Sequence, residues 1–354
     1  MNSVKEESMN KPTFANMEKP EGLSILVFCY NSSWIIERNL ERLVAQRSSY
    51  PVEILVIDNN SKDETSRIAQ TYLESHARFP FKIIHEAKQG LSHARIAGLR
   101  QASFKYTLFV DDDNLLEGIE WVDTLVDLFS SQPEIGAIGC GSIAELPVPA
   151  PVWWQNPYTF CVGEQRANEG LFYPVKADDM LWGACLCFRT QDALNAWSIN
   201  PMLLTDRAGN VASAGGDVEL GFRLAIMGYP FWYTKKLQFV HVMTAKRLSD
   251  PYLKAAVKGG RQVHAVMEAY RQLLISGRLS LSSVYLKTLT SYTIHFLLGL
   301  ISRLPMPKDR RYYTLWISRI DLEESKGMWL HLRKVRKNAT QLRQLPALLH
   351  RKHS

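Results

Sequence analysis

Cysteine is scarce in this chain and follows no pattern. Cys29, Cys140, Cys161, Cys185 and Cys187 are odd in number and have no histidines at zinc-binding spacing. That excludes a zinc knuckle and a disulfide-stapled scaffold, and it fits a reduced, cytoplasmic setting. Residues 1–22 are polar, hold two prolines and lack any apolar run, so the expectation is a flexible leader and no secretory signal. A long uncharged apolar run is also missing. The most apolar C-terminal stretch, Val284–Leu304, is interrupted by Lys287 and Arg303, leaving fifteen uncharged residues between them. A bilayer span needs about 20, which predicts a docked, re-entrant or in-plane helix rather than a crossing one.

What is present is an ordinary globular composition. Of 354 residues, 46% are hydrophobic and 22% charged, enough to bury a core. The net charge of +7 is unevenly divided. Residues 251–354 carry 19 Lys and Arg against 5 Asp and Glu, whereas residues 1–250 carry 23 against 30. An acidic body joined to a basic tail predicts that the two parts meet different partners.

Along the body, strand and helix patterns alternate. Leu23–Cys29 and Val52–Asp58 are nearly all apolar, as buried parallel strands are. Trp34–Gln46 shows helical spacing, Ser61–Glu64 reads as a capping box opening a helix to about Ser75, and Phe81–His85 is a third strand. Gly90 opens a helix to Ala102, and Tyr106–Val110 is a fourth strand. This order predicts a doubly wound, mostly parallel sheet with Tyr30, Asp58 and Asp111 along one rim. Further strands are expected at Ile135–Cys140 and Met180–Phe188, an irregular excursion over 142–180, a helix opening at Gly215–Asp217, and two short strands within Tyr229–His241.

The fourth strand ends in Asp111-Asp112-Asp113. Three adjacent carboxylates repel one another, and a fold keeps them mainly where a cation or substrate donor groups offset the charge. Hard oxygen ligands at a strand's carboxyl end suit Mg2+ or Mn2+, which bind through one or two carboxylates plus substrate phosphates. A solvated turn, with Asp113 or Asn114 capping the next helix, is the alternative.

Four segments in order resemble family 2 glycosyltransferases of the GT-A fold: Phe28-Cys-Tyr-Asn31, Val56-Ile-Asp-Asn-Asn-Ser-Lys-Asp63, Val110-Asp-Asp-Asp-Asn114 and Gly216-Asp-Val-Glu-Leu-Gly-Phe-Arg223. The resemblance covers roughly residues 23–245. It implies an inverting transfer from a nucleotide-diphospho-sugar, with a divalent metal, to a hydroxyl of a glycan or lipid-linked acceptor. Carried across, it implies that Tyr30, Asp58 and Arg95 contact the donor's base or diphosphate. Asp111 and Asp112 then also serve the donor, Asp111 and Asp113 the metal, and Asp217 acts as catalytic base. His241 matches a position that holds metal or diphosphate in some relatives. Three positions depart from the family pattern: Cys29 replaces a proline, Ile96 an asparagine, and Gly216 the acid that usually precedes the catalytic aspartate.

Each residue also has a plainer reading. Asp58 can stabilise its own turn, Asp217 can cap a helix, His241 can be a core histidine, and Arg95 can be a surface residue. Trp153, Trp154 and Trp182 are either core or, for Trp153 and Trp182 in particular, an acceptor-stacking surface. The expected division is a flexible segment 1–22, a catalytic domain 23–245 and a helical, basic region 246–354. In that last region Arg333–Lys337 and Arg351-Lys352 resemble polybasic membrane-surface segments, and Tyr292, Phe296 and Leu300 mark the apolar face expected to enter the headgroups. The predicted enzyme is peripheral at the inner face of the cytoplasmic membrane. A sugar nucleotidyltransferase would want a glycine-rich loop after the first strand, which Cys29-Tyr30-Asn31-Ser32 lacks. A nucleic-acid or adaptor protein would leave the acidic body unexplained.

Overall fold

The computed structural model describes residues 18–154, 165, 168–176, 179–199, 202–204, 206, 215–305, 316 and 318–350. Cys161, much of the 155–169 stretch and Arg351-Lys352 therefore lie outside the described residues. The expected alternation is present: β1 (Leu23–Cys29), α1 (Ile36–Val44), β2 (Val52–Asp58), α2 (Thr65–His76), β3 (Phe81–His85), α3 (Leu91–Gln101) and β4 (Tyr106–Asp111). These four strands pair in parallel in the order β3-β2-β1-β4. Every residue of β1 and β2 is buried, because helices cover both sheet faces. The two-residue strand period divides them between cores. Leu23, Ile25 and Val27 pack with Leu40, Leu43 and Leu73 of α1 and α2, whereas Leu26, Phe28, Leu55 and Ile57 face Ala94 and Leu99 of α3.

The second half extends the same sheet through β5 (Asn114–Leu116), α4 (Trp121–Ser131), β6 (Ala137–Glu145), β7 (Gly170–Phe172), β8 (Cys187–Arg189), α5 (Thr190–Ser198), α6 (Gly216–Ile226) and β9 (Phe231–Val242). The order continues β4-β8-β6-β9-β5, with β7 also on β9. β8 runs antiparallel to both β4 and β6, making the sheet mixed.

Several sequence expectations are corrected. The segment from Tyr229 to His241 holds one twelve-residue strand, β9, because it pairs with β6 along its whole length around a bulge at Cys140/Gly141. The strand expected from Met180 shrinks to Cys187–Arg189, since Cys185 adopts φ 50°, which ends extended pairing. Ser61 does not cap α2: its hydroxyl accepts from Asn31 N–H, and Asp63 accepts from Thr65 N–H instead. The 142–180 stretch also holds regular structure, with β6 running on to Glu145 and β7 within it.

After β9 come a 3-10 turn (Ala245–Leu248) and helices α7 (Asp250–Gln262), α8 (His264–Ser276), α9 (Leu281–Ile301), α10 (Leu322–Lys337) and α11 (Ala339–His350). They dock on the body rather than forming a separate unit. Leu26 and Phe28 of β1 belong to the same hydrophobic cluster as Tyr270, Val284, Leu332 and Leu345. The Arg261–Glu324 pair, 2.5 Å apart, ties α7 to α10. α9 buries Val284, Thr288, Tyr292 and Gly299. Tyr292 thus leaves the expected membrane-facing stripe, its hydroxyl donating to Glu324 O, while Phe296 and Leu300 are 55% and 41% exposed. By length and composition alone, this 21-residue helix of mean hydropathy 1.2 is long and apolar enough to cross a bilayer.

Candidate active site

The site lies where β1, β2 and β4 end. Register places Cys29 beside Asp58 and Phe28 beside Asp111, so the chain leaves three neighbouring strands at one rim. Asn31 and Asn60 take φ 52° and 64° to turn there, a left-handed conformation that asparagine tolerates better than most residues. The turns brace each other: Asn31 Oδ1 accepts from Lys62 N–H at 2.8 Å. Asn59 accepts from Gly90 N–H and donates to the Glu86 and Lys88 carbonyls, fixing the approach to α3.

Between these turns opens a cleft of about 310 Å³, near the lower bound for small-molecule sites. Its lining includes Tyr30, Trp34, Asn59, Gln89, the three aspartates and Arg247. Tyr30 and Trp34 are 40% and 53% exposed, so two aromatic faces remain open to a planar ligand. Asn39 on α1 donates to the Asp111 and Asn114 carbonyls, and Ser32 Oγ donates to Asp112, so the acid turn is held from below. Burial, then neighbouring Asp113, pushes the Asp112 carboxyl up to about 7. Burial also raises Asp111, against the pull of Arg95.

Asp113 is buried and ion-paired to Arg247 at 2.8 Å, with His241 Nε2 3.5 Å away. Antiparallel pairing of Asn114 with His241 brings that histidine beside the acid turn. No group of three or more His, Cys, Asp or Glu side chains among the described residues is arranged to hold a metal. The three-residue set Asp111, Asp113 and His241 is therefore not assembled as a cage. The donors still suit a hard cation completed by phosphate oxygens, because such a cation takes one or two protein carboxylates. The buried Asp113 carboxylate already draws a cationic partner in Arg247.

Arg95 does not face the cleft. It is 3% exposed, pairs with Asp206 at 2.7 Å and lies over the Phe109 ring. Asp206, Asp217 and Asp111 all act on its charge, so it links the acid turn to the opening of α6. Asp217 Oδ2 accepts from Gly183 N–H at 2.8 Å and Oδ1 from Val218 N–H, and the side chain remains partly exposed. Asp58 spends its oxygens on Ser61 N–H and Ser66 Oγ. Burial opposes its charge, yet these bonds hold it below the usual range. It therefore shapes the turn, and Asn59 is the β2-end residue that lines the cleft. Trp153 is fully buried among Met243 and Leu253, which leaves no face for a sugar. Trp182 is partly exposed and its backbone N–H donates to Gln165 Oε1.

Two residues escaped the sequence reading. Arg247 follows the strand that carries His241, and a basic residue so placed was its one signal. Asp206 had none. Its carboxylate accepts from Gly216 N–H, Ser92 Oγ and Arg95, and a Cβ on Gly216 would lie 2.5 Å from its Oδ2. The Asp206 carboxylate thus occupies the space that a side chain at 216 would need.

Residues 24–160 match the sequence profile of Glycosyl transferase family 2. Poly-beta-1,6-N-acetyl-D-glucosamine synthase of Staphylococcus epidermidis is 28% identical over 139 residues, 38% of this chain and 32% of that protein. The Staphylococcus aureus (strain COL) protein of the same name is 29% identical over 131 residues, 37% and 31% of the two chains. The chain thus spans about a third of the length of these curated relatives. Among solved structures, the mannosyltransferase PcManGT from Pyrobaculum calidifontis, in complex with GDP-Man and Mn2+, superposes at TM-score 0.51 and 16% identity over 94% of this chain and 87% of its own. GalNAc-T7 with UDP, GalNAc and Mn2+ superposes at 0.50 and 13% identity over 92% and 58%. At these identities the structures speak to the fold, which is GT-A. The stretch that resembles glycosyl transferase family 2, residues 24–160, is the one that carries the strand-end rim and the three aspartates.

Proposed function

We propose that this chain is an inverting glycosyltransferase. It takes a sugar from a nucleotide-diphospho-sugar seated in the cleft and passes it to a hydroxyl of a glycan or lipid-linked acceptor. The observation that carries this reading is the juxtaposition of the Asp111–Asp113 turn with the open aromatic faces of Tyr30 and Trp34 in one cleft. The aromatics offer a stacking surface to a base, and the acids mark the place of a cation-bound diphosphate. The relatives and neighbours support the class: one is a poly-N-acetylglucosamine synthase, and two solved folds carry nucleotide-sugar components with Mn2+.

In this assignment Asp113, with His241, would hold Mg2+ or Mn2+, which supplies charge neutralisation at the leaving diphosphate. Asp111 and Asp112 serve the donor side, and Asp217 is the base that accepts the acceptor hydroxyl's proton. Gly183 N–H holds Asp217 in position, and the Arg95 charge lies close enough to act on it. Residues 23–245 form the catalytic domain and 246–354 a helical region docked on it.

The basic region also supports work at the cytoplasmic face of an anionic membrane. α9 exposes Leu286, Ile294, Phe296, Leu297 and Leu300 within a region whose Lys and Arg outnumber Asp and Glu 19 to 5. Anionic lipid complements that charge, whereas a second copy would repel it.

The test is metal-dependent hydrolysis of UDP-, GDP- and dTDP-sugars by wild type, Asp113→Ala and Asp217→Asn. Asp113→Ala should abolish metal-dependent turnover. Asp217→Asn should keep donor binding and lose transfer by about a hundredfold or more. Undiminished turnover in Asp113→Ala, or product with the donor's anomeric configuration, would overturn the assignment.

A further inference from the structure

Arg247 touches both residues assigned above to the metal. One guanidinium nitrogen lies 2.8 Å from Asp113 Oδ2, and the other donates to His241 Nε2 at 2.7 Å. The same side chain lines the cleft beside all three aspartates. Burial works against its charge, yet Asp113, Tyr252, Asp112 and Asp111 together raise its pKa above the ordinary arginine value. The acid turn therefore carries its own cation.

We propose that Arg247 is a displaceable stand-in for the metal, which leaves Asp113 and His241 and moves onto the donor's diphosphate when metal and donor bind together. The inference rests on the nucleotide-sugar reading and adds a coupling that reading does not contain. A neutral imidazole nitrogen has one lone pair, so His241 Nε2 cannot accept from Arg247 and ligate a cation at once. The Asp113 oxygen on which the guanidinium sits must likewise be released or shared. A metal ion arriving alone would have to displace a guanidinium that is only 23% exposed and take away its carboxylate partner, which is costly. Arriving with a diphosphate, it brings the acceptor that Arg247 needs, because the planar guanidinium fork matches phosphate oxygens in pairs. Arg247 sits in the four-residue Ala245–Leu248 3-10 turn, a class of short element with poorer hydrogen-bond geometry than an α-helix, which suits a segment that shifts. Metal and nucleoside diphosphate should therefore bind cooperatively, with Arg247 as the positioning residue that couples them.

The experiment titrates Mn2+ into the full-length chain, following the free ion by electron paramagnetic resonance, with and without saturating UDP, GDP or dTDP. Wild type is compared with Arg247→Met and Arg247→Lys, and far-UV circular dichroism establishes that each is folded. Wild type should bind Mn2+ weakly alone and at least about tenfold more tightly with the diphosphate that fits, a factor on the scale of one charge-assisted hydrogen bond. Arg247→Met should bind Mn2+ alone about tenfold more tightly than wild type and keep only the coupling that direct metal–phosphate contact supplies. Arg247→Lys, with charge but no fork, should fall between. The matching nucleoside monophosphate, lacking the second phosphate, should couple poorly in every protein. Coupling undiminished in Arg247→Met, or Mn2+ affinity unchanged by it, would make Arg247 a static part of the floor and overturn this inference alone. If wild type binds no metal–diphosphate pair at all, the transferase reading fails and this inference falls with it.

Discussion

Replacing Glu219 with alanine should loosen the joint that presents Asp217. Glu219 and Arg223, one turn apart on α6, are both fully buried. The Glu219 carboxylate accepts from Leu203 N–H at 2.9 Å, Leu204 N–H at 2.6 Å, Tyr270 Oη at 2.5 Å and Arg223 Nη2 at 3.2 Å. It thereby fastens α6 to α8 and to Leu203 and Leu204. Glu219→Ala leaves a buried guanidinium without its counter-charge, which costs about 3–5 kcal/mol. The two freed N–H groups do not add their full penalty, because the space vacated by the side chain admits water. For a fold of this size, about 2–4 °C per kcal/mol then predicts a melting point lower by roughly 6–20 °C. Glu219→Gln keeps the volume and one acceptor, and should cost less. Changing Glu219 and Arg223 together to methionine should recover much of the loss, since an apolar pair carries no desolvation cost. Thermal unfolding followed by far-UV circular dichroism measures all three. A Glu219→Ala protein that melts within about 2 °C of wild type, or a double variant less stable than the sum of its singles, would refute the claim that this pair holds the joint.

Other outcomes follow from the same structure. Gly183→Ala should disturb the proposed base without unfolding the chain, because its Cβ would stand 2.3 Å from Arg95 Nη2 and 3.0 Å from Asp217 Cβ. Transfer should fall while nucleotide binding, measured by calorimetry, persists. Glu268 on α8 is held by Arg271, Lys287 and Gln272. Burial opposes its charge, but these bonds lower its carboxyl to about 2. A depressed carboxylate stabilises the fold above its unfolded pKa, and that contribution disappears as pH falls through the folded one. The stability difference between wild type and Glu268→Gln should therefore be full near neutrality and shrink between about pH 4.5 and 2, as urea midpoints would report. Finally, vesicles containing anionic lipid should carry the wild-type chain at low salt and release much of it at high salt. Phe296→Ser/Leu300→Ser should float poorly even at low salt, and equal flotation of the two would reject α9 as the contact.

The sequence by itself determined the parallel half of the sheet and the rim on which the chemistry sits. Leu23–Cys29, Val52–Asp58 and Tyr106–Val110 are apolar on both faces, so they require cover on both sides. The polar residues that follow each strand are then forced to a common edge. The acid turn was legible for the same local reason, since three adjacent carboxylates demand compensation from somewhere. Tertiary structure decided what compensates them. Arg247 reaches Asp113 because β9 carries its chain alongside β5, a pairing between segments more than a hundred residues apart. Asp206 occupies the space beside Gly216, and no pattern near either residue announces it. The tail shows the same divide. Its charge and apolar spacing were readable, but helical periodicity alone cannot say which apolar stripe meets protein and which remains exposed. Packing against α8 and α10 took Tyr292 for the core and left Phe296 and Leu300 outside. Local sequence sets which side chains share a face, and burial by distant segments sets what that face is for.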